Sequence, residues 1–145
     1  VRFADFPAFA SALFETYRRA GAWRLRTGAM DMLSRLHDQE WPMAVVSNFD
    51  HRLPNLLEAL EISPFFDLIV IPSDSGRAKP EQAVFDRVSR AFEAPIECLI
   101  YVGDDAKDVL DAISALGLRV FDVREIEDLV DLPDLVATAA TLPPR

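Results

Sequence analysis

One cysteine, Cys98, is all that this 145-residue chain carries, so no disulfide can close within it. That excludes a disulfide-stapled secreted scaffold and points to a reducing compartment, the cytoplasm. Long apolar runs are missing as well: none approaches the roughly 18 residues that a membrane span needs. Arg2, Asp5, Glu15, Arg18 and Arg19 break up the opening segment, which excludes a secretory signal there. Basic residues are the minority, 15 Lys and Arg against 24 Asp and Glu, for a net charge of −9. Binding a nucleic-acid backbone needs clustered Lys and Arg, so that class of partner is excluded. A small phosphorylated ligand is not, because one or two local cations suffice for it. The first residue is Val1 rather than methionine, which leaves processing, truncation and an unusual start as the alternatives.

What is present fits one soluble domain. Half of the residues are apolar and about a quarter are charged, ordinary values for a chain with a real core. Phe3, Phe6, Phe9, Ala10, Leu13, Phe14 and Tyr17 recur at helical steps, predicting an amphipathic helix from Phe3 to Ala20 with Gly21 as its stop. A second helix is predicted from Ala29 to His37. Further helices are marked by Leu53, Leu56, Leu57 and Leu60 behind Asp50 as N-cap, and by Val84, Phe85, Val88 and Phe92 with Pro80 in the first turn. Another carries Val109, Ala112, Ile113 and Leu116. Short apolar runs at Met43–Val46, Asp67–Ile71, Cys98–Val102 and Leu118–Phe121 read as strands. A polar, helix-capable stretch lies near Asp134–Ala140. Strands that are continuously apolar and alternate with helices predict a parallel α/β sheet covered on both faces. In such sheets ligands bind beyond the carboxyl ends of the strands.

Three polar clusters fall at those ends. Ser47-Asn48-Phe49-Asp50 follows the first strand and reads either as loop and capping chemistry or as donors to a phosphate oxygen. Lys79 follows the second strand, and Pro80 holds it extended just before a helix. A cation there opposes the helix dipole, so it is either a solvated surface lysine or a point charge aimed at an anion. Gly103-Asp104-Asp105-Ala106-Lys107-Asp108 follows the third strand. Three carboxylates within five residues suit either an acidic first helical turn or a hard cation such as Mg²⁺. A hydroxyl and amide donor, a lysine and a metal-binding acid cluster at one sheet edge make joint chemical sense.

These residues resemble the motifs of the haloacid dehalogenase (HAD) superfamily of hydrolases: Ser47-Asn48 the second motif, Lys79-Pro80 the third, and the run from Gly103 to Asp108 the fourth. The surrounding VVSNFDHRL and KPEQAVFDR are similar to the subfamily with a helical cap inserted after the first strand, and the likeness spans about Trp23 to Val123. It implies a three-layer Rossmann-like core at 23–145, with residues 1–22 as a remnant of the cap. It further implies that Ser47 hydrogen-bonds a transferring phosphoryl group with Asn48 beside it, and that Lys79 neutralises that group. Asp104 would ligate Mg²⁺, with Asp108 as a further ligand or support; Asp105 is not singled out.

The departure from the pattern is the first motif. No Asp-x-Asp pair precedes Ser47, where the only aspartates are Asp5, Asp31 and Asp38. The resemblance therefore implies an N-terminally truncated member that lacks the nucleophile and is inactive alone. In the family the missing strand lies mid-sheet, so two strand pairs should remain, separated by roughly twice the usual inter-strand spacing. The exposed edges should leave the chain marginally stable, or paired with another segment or protomer. The reading is thus a Mg²⁺-dependent phosphatase type acting on a small phosphorylated metabolite through an aspartyl-phosphate. The alternatives are a non-catalytic phosphate- or Mg²⁺-binding regulatory module and a 2-haloacid dehalogenase, whose chemistry needs no metal. His37 and His51 are expected in solvent, Cys98 in the core, and Trp23 and Trp41 at the cap–core junction.

Overall fold

Four short β-branched and apolar runs become strands: β1 (Ala44–Val46), β2 (Leu68–Val70), β3 (Ile100–Gly103) and β4 (Arg119–Asp122). The computed structural model describes residues 20–141. Between the strands run α1 (Ala29–Asp38), α2 (Leu53–Ala59), a single turn α3 (Pro72–Ser75), α4 (Gln82–Ala91) and α5 (Lys107–Ala115), and α6 (Leu132–Thr141) follows the last. β1 pairs with β2 in parallel, Val45 opposite Ile69. β3 pairs with β4 in parallel, Val102 opposite Phe121. Each pair is joined by a helical crossover, as parallel neighbours require. The described strands form two separate two-stranded sheets, not one.

Strand alternation assigns the layers. Ala44, Val46, Leu68 and Val70 face one side, where Val84, Phe85 and Val88 of α4 and Leu110 and Ile113 of α5 cover them. Met43, Val45 and Ile69 face the other side, against Leu33 of α1 and Leu53 and Leu57 of α2. Ile100, Val102 and Phe121 join that second side beneath Leu36 of α1 and Leu132 and Val136 of α6. Helices on both faces explain why the strands are apolar throughout rather than alternating. Val70 and Tyr101 meet in one cluster, and Met43 and Ile100 in another, so each helical layer spans both strand pairs.

The strands are nevertheless less buried than the helices that cover them. Phe85 and Ile113 are 1 % and 0 % exposed, yet no residue of β1 is buried, and in β3 only Tyr101 is. A parallel sheet covered on both faces should bury its strands fully. Among the described residues β1 and β3 are each paired along one edge only, which leaves them less covered from the side.

Several local expectations change. Cys98 is exposed, in a 3₁₀ turn at Ile96–Cys98, because β3 begins two residues later, at Ile100. Asp50 does not cap α2 with its side chain. Its carboxylate turns to Arg52, accepting from the backbone N–H at 3.1 Å and from Nε at 2.7 Å, and Arg52 takes the cap position. Pro80 precedes α4 rather than starting it. The loop after β2 contains the turn α3, closed by Gly76 at φ 66°. Trp23 packs edge-on against Phe49 beside the first polar cluster, with ring centroids 5.8 Å apart. Trp41, in contrast, lies just before β1 and packs against the Leu36 cluster, at the opposite end of the strands. His37 and His51 are exposed. The expected helix from Phe3 to Ala20, and most of the segment 1–22, lie outside the described residues.

Candidate functional site

The carboxyl ends of the strands bring the three polar clusters to one edge. Ser47 continues β1 by one residue, its N–H donating to the carbonyl of Val70 at 3.1 Å. Its Oγ accepts from the N–H of Phe49 at 3.2 Å, which leaves the hydroxyl hydrogen available as a donor. Asn48 is committed to Lys79. Its Oδ1 accepts from the Lys79 N–H at 2.8 Å and its Nδ2 donates to the Lys79 carbonyl at 3.2 Å. Its contribution in this arrangement is to position the lysine, with one amide hydrogen left over.

Lys79 is not a solvated surface residue: its side chain is 9 % exposed. Nζ lies 2.9 Å from both carboxylate oxygens of Asp105 and donates to the Tyr101 hydroxyl at 2.5 Å. The Tyr101 hydroxyl in turn donates to Asp105 Oδ2. A lysine reaching inward, with its backbone clamped by an amide, is the arrangement expected of a fixed point charge. Burial alone would raise the Asp105 carboxyl. The hydrogen bonds from Tyr101 and Lys79 outweigh that and hold it below its ordinary range. Tyr101 is pushed well above the usual tyrosine range, first by burial and then by the hydrogen bond to Asp105.

The two other acids of the cluster behave differently. Asp104 and Asp108 are both exposed, and neither is in an ion pair among the described residues, although Asp104 lies within electrostatic reach of Arg124. Lys107, between them, pairs with Asp111 instead, at 3.0 Å along the helix. Two exposed carboxylates, one in the loop after β3 and one in the first turn of α5, match the one or two carboxylates with which Mg²⁺ is commonly held, waters and substrate oxygens completing the shell. No group of three His, Cys, Asp or Glu side chains capable of holding a metal occurs among the described residues. The donors present therefore fit part of such a site.

Three contributors escape a reading of motifs. Asp105 is the carboxylate that meets Lys79. Tyr101 lies inside a strand that reads only as core. Arg124, just beyond β4, donates from Nη2 to the Asp105 carbonyl at 2.9 Å while its guanidinium is held by Asp122. That bond ties the acidic loop to the neighbouring strand. No spacing signal in the sequence links these positions; only the parallel register of β3 and β4 brings them together.

Gly103 makes the cluster possible by close approach. A Cβ there would stand 2.7 Å from Tyr101 Cε1, 2.8 Å from its hydroxyl and 3.0 Å from Asp105 Oδ2. Gly103→Ala must push the ring away from Lys79. The expected cost is about 1–3 kcal/mol of stability, the usual range for overpacking, read as a lower urea midpoint at unchanged slope. An open trough of about 790 Å³ lined by His37, Trp41, Asp67 and Phe92 lies at the amino ends of β1 and β2, away from these groups.

Comparison with known proteins identifies the family and the fold. Haloacid dehalogenase-like hydrolase domain-containing protein 3 of Xenopus laevis is 30 % identical over 114 residues, covering 79 % of this chain and 47 % of that protein. The chain thus spans about half the length of that relative. Among solved structures, a HAD phosphatase from Thermococcus onnurineus superposes with a TM-score of 0.75 at 15 % identity, covering 90 % of this chain and 70 % of its own. The L-2-haloacid dehalogenase RSc1362 superposes with a TM-score of 0.76 at 18 % identity, covering 93 % and 64 %. At these identities the likeness establishes a HAD-type Rossmann-like α/β fold and does not choose between the two chemistries. Residues 3–115 match the haloacid dehalogenase-like hydrolase family, and on that match together with the fold, the chain belongs to that family.

Proposed function

We propose that this chain provides the phosphate- and metal-binding part of a phosphatase-type hydrolase acting on a small phosphorylated metabolite. The observation that carries the reading is Lys79: an ammonium whose side chain is only 9 % exposed, clamped at the carboxyl edge of the strands that also carries the exposed Asp104 and Asp108. Lys79 would neutralise phosphoryl oxygens, and Ser47 would donate its free hydroxyl hydrogen to one of them. Asp104 and Asp108 would hold Mg²⁺, which when bound would offset further phosphate charge. Asn48 and Asp105 would keep the lysine in place. The phosphoryl group would pass through an aspartyl-phosphate, formed on an aspartate of an Asp-x-Asp motif that the sequence does not contain upstream of Ser47.

The two-sheet arrangement of the described strands supports this reading. A strand between β1 and β3 would pair both free edges and carry its carboxylates to the Lys79 edge. It would come from another segment or another protomer, and the chain alone would be inactive. The acid cluster favours phosphate esters over 2-haloacids, since dehalogenation gives Asp104 and Asp108 no cation to bind. Two further features belong to the proposal: a cytoplasmic location, in keeping with the exposed thiol of Cys98, and the absence of nucleic-acid and membrane partners. No described helix is long and apolar enough to cross a membrane.

The test is to supply the chain with an Asp-x-Asp strand and assay p-nitrophenyl phosphate and 2-chloropropionate side by side. Mg²⁺-dependent release of phosphate with no release of chloride is expected. Chloride release would replace the reading with dehalogenation. Phosphate binding without turnover of either compound would favour a regulatory module, the reading that the missing motif also suits.

A further inference from the structure

Tyr101 belongs to no motif, and its ring does what a strand residue should. It faces α4, meets Phe85 edge-on with centroids 6.0 Å apart, and the residue is 8 % exposed. A phenylalanine would serve that packing equally well. The hydroxyl is another matter, because it extends past Gly103 to the strand ends and stands between a cation and a carboxylate.

The arrangement solves a problem of direction. A lysine carries its charge on a flexible four-carbon stem. The approach to Asp105 is symmetric, 2.9 Å to either oxygen, so a single N–H can serve both, and the ammonium remains free to pivot about that contact. A second hydrogen given to the Tyr101 hydroxyl, which sits on a rigid ring, stops the pivot. The third hydrogen of the ammonium is then left for an anion in a fixed direction.

We propose that Tyr101 is a positioning residue that fixes the Lys79 ammonium and the Asp105 carboxylate against each other, so that Lys79 is presented to a bound phosphate. The inference rests on the reading of Lys79 as the phosphate-binding cation. Because burial and Asp105 together hold the phenol protonated, Tyr101 stays a donor to the carboxylate throughout the neutral range.

The test uses the 145-residue chain as wild type, Tyr101→Phe and Lys79→Met, with inorganic phosphate as the probe. Two quantities are measured: phosphate affinity, and the hydrogen exchange of the Lys79 ammonium followed by its ¹⁵Nζ–¹H resonance. Tyr101→Phe removes the acceptor that stops the ammonium pivoting, so exchange at Lys79 Nζ should quicken. Phosphate affinity should fall about tenfold, the scale of one hydrogen bond to a charged group. A purely structural tyrosine would leave both unchanged, and either quantity staying at its wild-type value overturns the proposal. Lys79→Met binding phosphate as tightly as wild type overturns the reading of Lys79 itself, which is a separate failure. Should Tyr101→Phe not fold, uniform 3-fluorotyrosine keeps the packing and weakens the phenol oxygen as an acceptor. Exchange at Lys79 Nζ should then quicken, and an unchanged rate overturns the proposal.

Discussion

Lys79→Met, made in a form of the protein completed with an Asp-x-Asp strand, is expected to lower phosphate-ester turnover by about 10²–10³-fold, the usual loss when one preorganised charge-stabilising group is removed. Methionine keeps most of the stem and removes only the charge. Folding should survive, although not without cost. The substitution leaves Asp105 without its cation, and that carboxylate is 20 % exposed and still bound by Tyr101. A fully buried unpaired charge costs about 3–5 kcal/mol; partial exposure and the remaining hydrogen bond should reduce this to about 1–2 kcal/mol. Steady-state kinetics together with thermal unfolding separate the two effects. A fall in turnover at a temperature well below the melting midpoint assigns the loss to the missing charge. Full turnover in Lys79→Met would remove Lys79 from the chemistry.

The second large effect concerns the split sheet. The chain alone should unfold over a broad temperature range and associate as its concentration rises, since β1 and β3 offer unpaired edges and partly exposed apolar side chains. A strand placed between them would form ladders on both sides and complete the burial of Val45, Val46, Ile100 and Val102. With each ladder hydrogen bond contributing about 1 kcal/mol net, about 5 kcal/mol is a reasonable lower figure. At this chain length that corresponds to a rise of about 10–20 °C in Tm. Calorimetry of the chain with and without a covalently supplied strand, alongside sedimentation, reads both effects. A sharp, cooperative transition in a dilute monomeric sample of the chain alone would show that the gap is already closed.

Two strand pairs were the expectation from the family pattern, and the described residues form two two-stranded sheets. The helices and strands were legible for the ordinary reason that their apolar periods are long and clean. Boundaries were less so. Cys98 is as apolar as its neighbours, and nothing local marks the 3₁₀ turn that delays β3 to Ile100 and leaves the thiol outside. Asp50 has the chemistry of an N-cap, but Arg52, two residues on, competes successfully for its carboxylate.

For the site, spacing along the chain gave the edge but not the contacts. Lys79, Ser47 and the acids were found because each follows a strand. Which carboxylate meets the lysine depends on side-chain direction around the start of α5, and the motif pattern pointed to Asp104 and Asp108 rather than to Asp105. The engagement of Asn48 with the Lys79 backbone crosses between two loops distant in sequence. Tyr101 was invisible for a different reason. Its ring satisfies the core pattern, and only its hydroxyl takes part in the site.

The most direct test of the account is a titration of the 145-residue chain with inorganic phosphate, followed by ³¹P resonance, with and without Mg²⁺. The account predicts saturable binding that tightens when Mg²⁺ is added and is lost in Lys79→Met. Phosphate that shows no saturable interaction under either condition would contradict it.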